Sequence, residues 1–347
     1  MKKTIIFALA ATCLFCGCAH SVKSGSSEAA KRYIEAWVHV QKQQHPEYLW
    51  KQTALGSWIL EDVRGNGTPM GEIEDSLYLR VNYTITDLDG TVSATTSKIV
   101  SQRLGAYDET YYYGPSIWYA KGVYAGIEDA ISDMNDGGRR RLVIPSWLMT
   151  YNRYDTVQEY MDNADDNSAA IYDLELVEHF NSIMQWSADS VGRYLVATYP
   201  NRYGSNVSYA AADSSGAFGY WFIPVKASAD TVTIKDTTVY INYIGRLLDG
   251  KVFDTTIRDT AIFHGLSRDK DYEPVSITIG DTWRDVTMGS ESSSVIEGFA
   301  RTIAKMKAGE KATGIFISTL GYGYNGSGNT IPGYAPLRFD IELVDNP

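Results

Sequence analysis

With 347 residues, 44% of them hydrophobic and 21% charged, the chain has enough apolar material for two or three buried cores. Its formal net charge of -11 withholds the positive field that draws in nucleic acid, so no nucleic-acid partner is expected. The 25 tyrosines and 8 tryptophans suit β-rich packing and aromatic-lined pockets.

Lys2 and Lys3 open the chain, and an apolar stretch from Ile5 to Phe15 follows. That stretch is too short to span a bilayer and has the pattern of an export signal over 1–17. It ends in Phe15-Cys16-Gly17-Cys18, which resembles a bacterial lipobox. The resemblance implies cleavage before Cys18 and lipidation of its thiol, since small Gly17 suits the cleavage position and bulky Phe15 does not. Cys13, Cys16 and Cys18 are the only cysteines, so the mature chain would tolerate an oxidising compartment without a disulfide framework. A polar tether over 18–27 is expected next. Lipid at Cys18 would then hold the protein at a membrane, and the absence of an acidic pair behind Cys18 favours the outer membrane facing the periplasm.

Over 28–48, Ala30, Tyr33, Ile34, Trp37 and Val38 fall on one face of an amphipathic helix. A strand around Trp58, an alternating strand from Tyr78 to Thr86, an Asp89-Gly90 turn and a short helix from Tyr124 to Ser132 follow. Gly137-Gly138 stops that helix, and Arg139-Arg140-Arg141 reads as a solvated hairpin edge. Phe180, Ile183, Met184, Val191, Tyr194 and Leu195 mark a second amphipathic helix, and 201–216 reads as a loop. The same order then recurs, with a strand around Trp221, a strand from Thr238 to Ile244, an Asp249-Gly250 turn and a helix from Ile296 to Lys305. Preserved order with drifting offsets predicts one α+β unit written twice, at 50–180 and 218–347, with a helix and linker over 181–217.

The second unit resembles the FKBP-type peptidyl-prolyl cis-trans isomerases. Val239 to Thr256, with Tyr243 and the pair Phe253-Asp254, is similar to that family's opening hairpin. Val295-Ile296-Glu297-Gly298-Phe299 resembles its helix start, Tyr322-Gly323 and Ile331-Pro332 the two ends of its flap, and Phe339 to Leu343 its last strand. The resemblance implies two tandem FKBP-like antiparallel half-barrels, each wrapping a short helix. It also implies rotation of X–Pro bonds in a pocket lined by Tyr243, Phe253, Val295, Ile296, Phe299 and Phe339. Phe299 would be the floor, the Ile296 N–H and the Tyr322 hydroxyl the donors, Asp254 the rim carboxylate, and Ile331 the cover. Proline-containing exported polypeptides would be the partners, and no cofactor or metal is called for.

Two departures stand out. Val275 occupies a pocket position that the family usually fills with an aromatic ring, and Phe299 replaces an indole. Both imply weak binding of FK506-like ligands. In the first unit Tyr83 survives, but Ser93-Ala94 stands for Phe-Asp, Ile127 for the floor, and the flap Ile-Pro is missing. That pattern predicts a degenerate first domain without the pocket and activity in the second domain alone. The five histidines show no metal-ligand spacing, and no phosphate loop or hydrolase triad stands out. The leading expectation is thus a lipid-anchored rotamase with a folding-chaperone role. A scaffold that binds segments without turnover, and a glycan-binding lipoprotein, are the other readings.

Overall fold

The computed structural model describes residues 27–344 except 165, 166, 227, 231, 268 and 269. The signal segment, Cys18 and most of the tether lie outside the described residues.

The first unit runs α1 (Ser27–Gln44), β1 (Lys51–Gln52), β2 (Trp58–Val63), β3 (Tyr78–Asp87), β4 (Val92–Thr95), α2 (Lys98–Arg103), β5 (Ser116–Tyr119), α3 (Ala125–Ile131), β6 (Gly138–Ile144), α4 (Val157–Asp162) and β7 (Ala170–Phe180). Its strands form a seven-stranded antiparallel sheet in the order β1-β2-β6-β7-β3-β4, with β5 also on β3. Leu79, Val81, Leu142 and Leu176 point inward from the sheet and close over Ile127 and Ile131 of α3. α1 adds Ile34 and Val38 to this core, whereas Tyr33, expected on the same face, is exposed.

The second unit runs α5 (Ile183–Thr198), α6 (Pro200–Tyr203), α7 (Val207–Ala212), β8 (Tyr220–Lys226), β9 (Thr237–Leu247), β10 (Val252–Thr255), α8 (Arg258–Phe263), β11 (Val275–Ile279), β12 (Thr287–Met288), β13 (Ser293–Ser294), α9 (Glu297–Lys305), β14 (Lys311–Phe316) and β15 (Leu337–Val344). The eight strands are ordered β13-β12-β11-β9-β15-β14-β8, with β10 also on β9. Removing the short edge strands leaves one topology in both sheets: β2-β6-β7-β3 answers β8-β14-β15-β9, and each central strand also carries a hairpin partner and a second neighbour. The molecule is therefore α+β, with two antiparallel sheets each wrapped on a short helix. Gly126 of α3 and Gly298 of α9 serve the same close approach, since a Cβ would sit 2.2 Å from Ile144 in one unit and 2.2 Å from Phe316 in the other.

Three local readings are corrected. Phe180 ends β7 rather than opening a helix, and it stacks between Tyr78 and Trp186. Residues 201–216 are not a plain loop: Pro200 starts α6, and the Asn206 side chain caps α7 by accepting from the Tyr209 N–H. The arginine run lies on β6, between β2 and β7, where Arg140 is buried. α5 and α7 cover the outer face of the second sheet, against Trp221, Ile223, Ile315 and Ile317, and the Trp221 indole donates to the Ala210 carbonyl at 2.9 Å.

Candidate functional site: an aromatic pocket beside a rim carboxylate

β9 and β10 are joined by the Asp249-Gly250 turn, with Gly250 at φ 96°, a left-handed conformation that suits glycine. A register shift between Val252 and Asp254 puts Phe253 and Asp254 out of simple alternation, so both can serve the inner side of the sheet. The Phe253 ring lies on Gly245, where a Cβ would be 2.6 Å from Cε2. Phe253 meets Phe339 edge-on at 5.5 Å, Phe339 meets Phe299 edge-on at 5.0 Å, and Tyr243 meets Phe299 edge-on at 5.6 Å. Four rings from β9, β10, β15 and α9 thus form one edge-to-face cluster, the geometry that aromatic quadrupoles favour. Phe299 is 2% exposed beneath it.

Polar groups gather at one side. The Tyr243 hydroxyl donates to Asp254 Oδ2 at 2.5 Å, while Asp254 Oδ1 accepts from the Thr255 N–H at 3.0 Å and from Lys270 Nζ at 3.0 Å. Lys270 was not picked out in the sequence; it sits in the segment after α8, and nothing local signals its partner. Burial, reinforced by the Asp254 charge, pushes the Tyr243 phenol far above its ordinary range and raises that of Tyr322 as well. Both hydroxyls are therefore neutral donors at physiological pH. Ile296 is the N-cap of α9 and no side chain caps that end, so its first N–H groups are available to a ligand carbonyl.

Ile331 is 4% exposed and is pinned by paired backbone bonds with Ser327, at 2.8 and 3.1 Å. Gly326, at φ 65°, lies so close to this bridge that a Cβ would be 2.1 Å from the Ile331 carbonyl oxygen. Val275, Val295 and Ile296 pack at the edge of the same core, and Val275 is laddered to Ile241. The structure thus gathers Tyr243, Phe253, Phe299, Phe339, Ile331, Val275, Val295 and Ile296 into one core, with Asp254 and half-exposed Tyr322 at its polar side.

The first unit repeats the backbone of this hairpin and changes its chemistry. Thr96 Oγ1 accepts from the Tyr83 N–H and Thr256 Oγ1 from the Tyr243 N–H, both at 2.9 Å. Ala94 pairs with Ile85 as Asp254 pairs with Gly245. The carboxylate is missing there, as expected. The expected loss of the whole pocket is not met. Trp118, Tyr124, Tyr151 and Tyr172 surround a cavity of about 360 Å³ beside Tyr83, above Ile127. Comparing the two units along the sequence missed it because only Tyr83 and Tyr172 stand where the second unit carries rings, at Tyr243 and Phe339, while Trp118, Tyr151 and Tyr334 come from elsewhere. Among the described residues, no group of three or more His, Cys, Asp or Glu could hold a metal ion.

An antiparallel sheet wrapped on a short helix, with a four-ring cluster beside a phenol–carboxylate pair, is an arrangement suited to an apolar ring and a neighbouring carbonyl. Residues 230–344 match the profile of the FKBP-type peptidyl-prolyl cis-trans isomerases. FK506-binding protein 2 of Dictyostelium discoideum is 32% identical over 126 residues, which are 35% of this chain and 77% of that protein. The FK506-binding protein of Neisseria meningitidis serogroup C is 30% identical over 111 residues, 32% of this chain and 81% of that protein. The bovine peptidyl-prolyl cis-trans isomerase FKBP11 is 34% identical over 121 residues, but the chain spans only 47% of its length. The chain belongs to the FKBP-type peptidyl-prolyl cis-trans isomerase family. The match runs through the second unit.

Proposed function

We propose that the second unit rotates X–Pro bonds in exported polypeptides and assists their folding, while the chain is held at the outer membrane by lipid on Cys18. The observation that carries the reading is the ring cluster of Tyr243, Phe253, Phe299 and Phe339 beside the Tyr243–Asp254 hydrogen bond. An X–Pro bond turns over a barrier of roughly 18–20 kcal/mol that comes from amide resonance. No bond is made or broken, so no acid, base or metal is required. The aromatic walls hold the proline ring while the preceding carbonyl leaves the amide plane. The α9 N–H groups and the Tyr322 hydroxyl then meet carbonyl oxygens of the bound segment, which fixes it around the rotating bond. Twisting weakens the amide dipole, so an apolar, water-poor pocket favours the twisted form over the planar one.

The first unit lacks the carboxylate and the phenylalanine floor, which supports activity in the second unit alone. Val275 and Phe299 in place of larger aromatic groups support weak FK506-type binding. A coupled assay on an X–Pro peptide tests the reading: wild type should accelerate isomerisation, and Asp254→Val with Phe253→Ala should lower kcat/KM at least about tenfold, the loss of ~1.4 kcal/mol of transition-state stabilisation. No acceleration by wild type would leave a scaffold that binds without turnover. Because Tyr243 and Tyr322 keep their protons beyond the ordinary phenol range, neither removes activity through ionisation as pH rises through 9. An alkaline loss below pH 9 with the fold intact would contradict that assignment of the two hydroxyls.

A further inference from the structure

The cavity in the first unit has no assigned role. It sits at the register of the rotamase pocket: Tyr83 lies on β3 where Tyr243 lies on β9, and Tyr172 is laddered to Ile85 as Phe339 is to Gly245. Its walls include Tyr83, Trp118, Tyr124, Tyr151, Tyr172 and, from the flap of the second unit, Tyr334. Tyr334 is held against Tyr78 of β3 by an edge-on contact at 5.6 Å. Tyr83 and Trp118 are 5.0 Å apart, and Tyr124 and Tyr151 4.5 Å apart, so the rings form continuous walls.

The lining contains no acid and no base other than phenols. A charged ligand would lose its hydration there without a counter-charge, so the chemistry selects a neutral one. Burial raises the Tyr172 phenol above its ordinary range, which leaves a neutral hydroxyl that can donate to a carbonyl oxygen, while the Tyr334 phenol, raised by burial and by Tyr78, is hydrogen-bonded to Tyr78. A sugar is ordinarily gripped by several side-chain carboxylates and amides, and none lines this cavity. A proline ring with its adjoining carbonyl needs only apolar faces and donors. Its extended conformer is also preformed, so little chain entropy is lost on binding. A cavity of about 360 Å³ is within the range that holds a ring and its flanking groups.

We infer that this cavity is a second, non-catalytic site that holds a proline-bearing segment of a polypeptide and that is completed by Tyr334 of the rotamase flap. Binding there does not depend on turnover in the second unit. With Ala94 and Ile127 where the second unit has Asp254 and Phe299, the segment is held without the surroundings that turn its bond over.

The test is NMR on the full chain, following the Trp118 indole N–H signal, assigned with Trp118→Phe, during titration with acetyl-capped hexaproline. Exchange spectroscopy on an X–Pro peptide reports turnover in the same sample. The expected result is a saturable shift of Trp118 that hexaglycine and a neutral oligosaccharide do not produce. Tyr151→Ala, at a side chain 63% exposed and so removable without opening the core, should weaken that binding by about tenfold, as should Tyr334→Ala. A Trp118 signal that stays fixed at millimolar hexaproline, or that moves equally with hexaglycine or the oligosaccharide, overturns the inference even if turnover is seen. A saturable proline-specific shift without turnover would support this site while removing the rotamase reading.

Discussion

Arg140 shows how a single side chain can contradict its local sequence. A run of three arginines reads as solvated, yet alternation along β6 sends Arg139 and Arg140 to opposite faces. Arg140 reaches Asp62 at 2.9 Å, Asp133 at 2.6 Å and the Ala130 carbonyl, tying β2 and the end of α3 to β6. Alternation was legible in the sequence, but the two carboxylates are distant in the chain, so the pairing was not. Removing Asp62 leaves part of a buried charge unmatched; Asp62→Ala should cost about 2 kcal/mol in urea unfolding, below the loss for a fully buried pair because Asp133 remains. The Arg140 hydrogen bond is the main cause that holds the Asp133 carboxyl below its ordinary value. Its contribution to stability is therefore present above the ordinary carboxylate value and fades as pH falls through the lower folded value. In Arg140→Met that part of the acid slope should disappear, and an unchanged slope would show that the pair is not its source. Gly245 makes a second residue-scale prediction. Gly245→Ala should displace the Phe253 ring, cost about 1–3 kcal/mol and depress rotamase turnover; thermal unfolding and the coupled assay would report both.

At the scale of elements, the sequence located the strands around Trp58 and Trp221, the long central strands and both core helices, because alternation and helical periodicity were strong there. It did not reveal α6 and α7, which are too short for periodicity to show. These helices matter because α5 and α7 shield Trp221, Ile223, Ile315 and Ile317 on the outer face of the second sheet. A chain begun at residue 218 would expose that apolar face, although the resemblance to the family starts near there. Such a chain should be far less soluble and melt lower than one begun at 181, as measured by light scattering and calorimetry. Equal behaviour would mean that the helices are dispensable to the second unit. The residues that the second unit gathers into one core were legible in order along the chain because their spacing follows that of a known family. The cavity of the first unit was not, since Tyr83 and Tyr172 of its central strands are joined there by Trp118 of β5, Tyr151 after β6 and Tyr334 of the other unit's flap, which chain order does not bring together.

Across the whole molecule, the two units meet through specific contacts. Beyond Tyr78 and Tyr334, the Tyr112 N–H donates to the Asn329 carbonyl at 2.7 Å and Lys251 Nζ to the Glu109 carbonyl at 2.7 Å. The segment around 109–112 therefore docks the first unit on the flap and hairpin of the second. Backbone ¹⁵N relaxation should give one rotational correlation time for both units, and two distinct times would contradict this docking. The paired hairpins carry a last consequence. Gly245 accommodates Phe253, whereas the matching places in the first unit hold Ile85 and Ser93. A phenylalanine placed at 93 would meet the Ile85 side chain, and an isoleucine placed at 245 would meet Phe253. Neither hairpin can be converted into the other by one tolerable substitution, because the intermediate is either clashing or hollow. Two sheets of one topology are in this way locked out of exchanging these side chains singly, so a swap between them has to be made in pairs.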